Sequence, residues 1–195
     1  MGFRSHIHRC VRLLVLVGAV LCYPLVVSAA APSVQVCLDY HCDQTLQVSL
    51  NDDEWERIRD VFAAAASAVQ ERAAISRAIG MMERFVGDDA GTADDAPMNT
   101  ADSGERGQLD CIAESTNSAT YLQLFEMRGL LRAHTVEARV KRTRWLFAVH
   151  WTAVVRDRAT DKPYAVDSWY RSNGAPAIVQ PLDEWRQALN EPDGD

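Results

Sequence analysis

The sequence predicts an α+β fold, and three observations carry that prediction. Apolar residues recur at helical spacing in two separate stretches, from Asn51 to about Phe85 and from Asp110 to Gly129. Beyond residue 133 the period changes to alternation over several short segments. Helices therefore come first and strands afterwards, rather than interleaved as in a parallel α/β sheet.

The first thirty residues are read as an export signal and not as fold. Arg4, Arg9 and Arg12 make a basic start, Leu13 to Val27 an apolar run, and Ser28-Ala29-Ala30 a small-residue cleavage site. Cleavage after Ala29 or Ala30 is expected, because Pro32 disfavours a cut after Ala31. The apolar run has fifteen residues, short of the roughly 20 that span a bilayer. No later segment is long and apolar enough to span one, so the expected compartment is the periplasm. Removing the signal leaves about 165 residues, enough for one domain with a single core. The charge then changes from −7 to −10, with 17 basic residues against 27 acidic ones. This excludes nucleic acid and anionic membranes as principal partners.

Residues 31–50 are mixed, with "LQVSL" a brief extended piece. Asn51, with Glu54 three positions on, has the spacing of a capping box. Trp55, Ile58, Val61, Phe62, Ala65 and Val69 follow at helical intervals, and the pattern carries to about Phe85. Residues 87–107 form one long polar loop, whose acids show no calcium-loop spacing. Asp110 is the cap expected for the second helix, Ile112, Ala119, Leu122 and Phe125 its buried face, and Gly129 its stop. Then "HTVEARVKR" places Val136, Ala138 and Val140 on one side of a strand with one wet face. "WLFAVHWTAVV" is a more apolar, central strand and "PYAVDSWY" a third. "SNG" makes a turn, "AIV" a short edge strand and "PLDEWRQAL" a closing helix.

Cysteine usage turns this outline toward chemistry. Cys10 and Cys22 leave with the signal, so Cys37, Cys42 and Cys111 remain. In an oxidising compartment Cys37 and Cys42 are expected to form a disulfide, since C-x4-C without a second ligand pair is a weak metal motif. Nothing else in the chain calls for a metal or cofactor. Cys111 is left over, in the first turn of the second helix, where the dipole and free N–H groups favour a thiolate.

A base for that thiol is found in the strands. If His150 and Asp167 sit directly opposite in a hairpin, Asp157 to Thr160 form its four-residue loop and Pro163 falls opposite Val154. The carboxylate is then close enough to orient the imidazole. Cys111 as nucleophile, His150 as base and Asp167 as orienting acid make an activated thiol. The Cys111 N–H, with the Gln108 side-chain amide, is expected to receive the oxyanion. Trp169, sharing the Asp167 face, is expected to line the cleft, whereas Trp151 faces away and is expected in the core. Asn117 is a further candidate to support the site. Ser115 is read as packing, since no base is positioned for it.

The motifs "GQLDCIAESTNSATYL", "HWTAVV" and "YAVDSW", covering about residues 105–170, resemble the transglutaminase-like superfamily, nearest its bacterial cysteine proteinase branch. The resemblance implies a transglutaminase/papain-like core, in which the helix bearing the cysteine packs on an antiparallel sheet. It also implies acyl transfer at amide bonds of protein or peptide substrates, with Cys111, His150 and Asp167 as the triad. Two departures bear on the substrate. Animal-type members carry tryptophan after the cysteine, where this chain has Ile112, and the proteinase branch has a glycine closer before it than Gly107. The alternative is a non-catalytic periplasmic binding module that keeps a degenerate form of this fold.

Overall fold

The computed structural model describes residues 33–100, 106–144 and 148–188, so the signal reading of residues 1–30 lies outside the described residues. Two antiparallel strands open the chain, β1 (Ser33–Cys37) and β2 (Thr45–Ser49), paired from Ser33↔Ser49 to Cys37↔Thr45. The Cys37–Cys42 disulfide closes the turn between them. Of the two, only β2 was visible in the sequence, because β1 begins directly beside the export segment.

Helix α1 (Asp52–Ala63) starts with the expected capping box, in which the Asn51 side chain accepts from Glu54 N–H and Glu54 accepts from Asn51 N–H. The helix does not run on to Phe85. It breaks at residues 64–67, and α2 (Ala68–Ala90) starts afresh under Ser67, whose Oγ accepts from Gln70 N–H. Gln70 Oε1 takes the Ala66 N–H at 2.7 Å. An alanine-rich run presents no apolar stripe that would reveal such a break, and only Ser67 marks it. Helix α2 then passes the expected loop start and ends at Gly91, which has φ +71°.

Helix α3 (Cys111–Met127) begins under Asp110 and stops before Gly129, as expected. Four strands follow: β3 (His134–Arg144), β4 (Ala148–Asp157), β5 (Pro163–Asp167) and β6 (Ile178–Pro181). They form one antiparallel meander in the order β3-β4-β5-β6, with β4 internal. Helix α4 (Leu182–Arg186) closes the described chain and is shorter than the sequence suggested. The molecule is thus α+β with two antiparallel sheets.

Alternation along β4 assigns its two faces. Ala153 and Val155 join the main core with Leu122, Phe125, Ile75 and Ile79 of α3 and α2. Val154 instead joins Ala165, Leu182 and Trp185 in a small second cluster under α4. His150 and Asp167 share the parity of Val154 and Ala165, so they belong to the α4 face.

The β4–β5 register differs from the expected one by two residues. Arg156↔Pro163 and Val154↔Ala165 are partners, so Pro163 does not oppose Val154, and His150 is not opposite Asp167. Asp157 causes the difference. Its carboxylate takes the N–H groups of Ala159 and Thr160, and its N–H bonds Lys162 O, lengthening the turn past the expected four residues. A shift of two keeps every side chain on its face, whereas a shift of one would have reversed them all.

β3 also departs from simple alternation. Its pairing slips between Glu137 and Val140, leaving Ala138 and Arg139 in a bulge opposite one residue of β4. Val136 therefore packs against the main core and Val140 against the second cluster, so the two do not share the one face expected of them, and Ala138 between them is exposed.

Candidate active site

The site is built at the start of α3. Asp110 caps it, with Oδ1 accepting from Ile112 N–H (3.1 Å) and Ala113 N–H (2.9 Å) and Oδ2 from His41 N–H (3.2 Å). A short carboxylate is the right cap here because it serves the helix donors and the disulfide loop together. Leu109, Ala113 and Cys37 pack beneath, with Cys42 against them. The next residue is Cys111, a half-buried free thiol whose Sγ points at Val149 O, 3.8 Å away.

His150 lies on β4 one residue beyond that carbonyl. Its Nε2 bonds Asp167 Oδ2 at 2.7 Å, a diagonal reach across the shifted register. The other ring nitrogen, Nδ1, is buried and has no hydrogen bond within ordinary geometric limits. Burial opposes a charged imidazole, but the Asp167 hydrogen bond, the neighbouring Cys111 sulfur and the charge on both outweigh it. The His150 pKa is pushed up to about 9.

Asp167 is 2 % exposed and has a second donor, since Trp185 Nε1 also bonds its Oδ2, at 2.7 Å. Three aromatic rings surround the imidazole, with centroids at 4.7 Å (Trp169), 5.2 Å (Tyr170) and 5.6 Å (Trp185). Arg142, paired with His150 across β3–β4, reaches behind them. It stacks 4.5 Å over Trp185 and donates to Trp185 O and to Tyr170 Oη.

Cys111 and His150 open on a cavity of about 600 Å³, within the size range of small-molecule and peptide sites. Its walls include Met98, Ile112, Val149, Trp169 and Tyr170. The wall at residues 96–100 is held in place from both sides. Met98 N–H bonds Trp169 O at 2.7 Å, and Trp169 Nε1 bonds Asn99 O at 2.8 Å. Among the described residues no group of three or more His, Cys, Asp or Glu side chains is placed to hold a metal ion.

Cys111, His150, Asp167 and Trp169 are therefore brought together. Gln108 is not. Its Nε2 donates to Asp94 O at 2.9 Å, and its Oε1 accepts from Ala96 N–H and from Asn99, so both ends of the amide brace the preceding loop. Asn117 is also placed elsewhere, with Oδ1 and Nδ2 clasping the N–H and carbonyl of Cys37 and tying β1 to α3. Trp151 is not a core residue. It lines the cavity, half-buried beneath Arg139 and Lys141 at 5.2 and 5.7 Å.

Sequence reasoning missed Trp185, Arg142 and His41, which lines the cavity beside Asp110. Trp185 stands eighteen residues after Asp167 in a separate short helix, with no spacing to link them. Arg142 could have been found only by knowing both the bulge and the β3–β4 register. Comparison of the chain with protein-family models, with curated proteins and with solved structures gives no match.

Proposed function

We propose that the chain is an exported thiol enzyme of transglutaminase-like type, acting on amide bonds of protein or peptide through an acyl-enzyme. One observation carries the reading: a free thiol at a helix start adjoins an imidazole held at 2.7 Å by a buried carboxylate, on a cavity large enough for substrate. In the reaction the imidazole is charged and Cys111 is the thiolate. Sγ attacks the carbonyl carbon, and the displaced π pair collects on oxygen. The Cys111 N–H, in the first turn of α3, faces that developing charge. The C–N bond then breaks as the amine takes the proton from His150 Nδ1, leaving a thioester and a neutral imidazole. Water, or a second amine, gives its proton to His150 as it attacks, and the thiolate departs. Asp167 keeps Nε2 occupied throughout, so Nδ1 is the nitrogen that exchanges protons with substrate.

The test is alkylation of Cys111 by iodoacetamide at pH 7, with amide turnover measured on peptide mixtures. Labelling is expected to be fast, to slow at least about tenfold in His150→Ala, and to abolish turnover. Slow labelling unchanged by His150→Ala would instead favour a non-catalytic binding module, with the groove used to hold a partner.

A further inference from the structure

Arg139 occupies an unusual place. Had β3 continued in its first register, Arg139 would oppose Thr152 and share the face of His150. The extra residue in the bulge turns it to the other face, toward α3. There its Nη1 donates to Ile112 O (3.0 Å) and Ser115 Oγ (2.9 Å), and its guanidinium lies 5.2 Å over the Trp151 ring. These partners are neutral, and among the described residues no carboxylate pairs with it. A partly buried cation without an anion is costly, and the thiol of Cys111, adjoining Ile112 in the chain, is a group whose negative charge acts on it.

We propose that Arg139 is an electrostatic positioning residue for Cys111: turned onto α3 by the bulge, its guanidinium holds negative charge at the sulfur and at the oxygen of an acyl adduct. The proposal rests on Cys111 being the nucleophile. Burial weakens the hold of Arg139 on its proton while charge on Cys111 strengthens it, which agrees with the geometry. Trp151, read from the sequence as core, becomes the platform that keeps the guanidinium level with the helix start. Lys141 flanks the same ring and extends the positive rim.

A charged and a neutral alkylating reagent separate this role from packing. Iodoacetate and iodoacetamide react at the same sulfur, but only the first senses local potential. At low salt, Arg139→Gln is expected to lower the iodoacetate-to-iodoacetamide rate ratio about threefold, as removal of one nearby charge through a half-wet path would. Arg139→Lys should restore it to within about twofold of the native ratio. Arg139→Met, which keeps the aliphatic stem on Trp151, should behave as Gln does and serves if the Gln variant is unstable. An unchanged ratio in either neutral variant, with a native melting profile, overturns the proposal. A lowered ratio in a protein that turns over no amide supports the charge role and counts against the enzymatic reading alone.

Discussion

His150 shows how much one residue depends on its surroundings. A lone histidine in an apolar strand would be driven neutral by burial, yet here two neighbours reverse the outcome and its pKa is pushed up to about 9. A thiolate–imidazolium pair is competent only while the imidazole keeps its proton. Labelling of Cys111 by the anionic iodoacetate is therefore expected to slow as pH rises through about 9 and the attracting imidazolium charge is lost. In Asp167→Asn the carboxylate charge is gone, and this basic limb should move down toward the ordinary histidine range, about 6.5. The pH dependence of iodoacetate labelling in the two proteins checks it, and a limb that stays near 9 in the variant would show that Asp167 is not the cause. Trp185 adds a constraint of its own kind. Its N–H shares the same carboxylate oxygen as the imidazole, so Asp167 is fixed by two donors from different elements.

At the scale of elements, capping chemistry was legible and long-range pairing was not. Asn51 and Asp110 are caps because short polar side chains reach the orphan N–H groups of a first turn, a property local to three or four residues. The β4–β5 register depended on how Asp157 folds the turn back on itself, so an assumed symmetric hairpin missed it by two. The diagonal contact still formed, because both residues stayed on one face. Helix α2 carries a sharper constraint. A Cβ on Gly80 would lie 2.5 Å from Ala175 O and 2.8 Å from Gly174 O, both backbone atoms in the turn leading to β6. Gly174 holds φ +78° there and its N–H binds Glu83, so this turn cannot easily retreat. Gly80→Ala is expected to destabilise by about 2 kcal/mol despite the better helix propensity of alanine. Urea unfolding should show it as a lowered midpoint, and a raised midpoint would contradict the close approach.

The whole molecule is shaped by charges that it buries. Glu83 on α2, Glu114 on α3 and Asp95 on the loop between them lie together behind the site. Ser168 donates to Glu114 and Leu109 N–H to Asp95. Burial raises the pKa of all three, and repulsion adds to it at Glu114, from Glu83 and Asp95, and at Glu83, from Asp95, so that Glu83 is pushed up to about 8. Unfolding frees them to ionise, so this cluster withdraws stability as pH climbs from about 4.5 to about 8. His150 acts in the same direction: its contribution is complete below about 6.5 and is lost as pH passes about 9. Glu71 acts oppositely. Burial works against its charge, but His134 and the N–H groups of Ala133 and Arg132 hold it ionised, a contribution lost in acid. The melting temperature is therefore expected to peak near pH 5 and to decline toward pH 9. Glu83→Gln should flatten the decline between pH 5 and 8. A melting temperature that rises over that range would contradict the raised pKa of these buried acids.

Among the described residues no helix is long and apolar enough to cross a membrane. The same residues show which properties the chain carries locally. The order of helices before the four-stranded sheet, the starts of α1 and α3, the leftover thiol and the pairing of Cys37 with Cys42 all follow from near neighbours, so the sequence by itself determined them. The tertiary structure alone decided that α1 and α2 separate, that Gln108 and Asn117 serve as braces, and that Trp185 and Arg139 attend the site. Those outcomes depend on which backbone groups and side chains meet across elements dozens of residues apart. A one-residue bulge in β3 and a two-residue change in the β4–β5 turn set those meetings, and neither leaves a periodic trace along the chain.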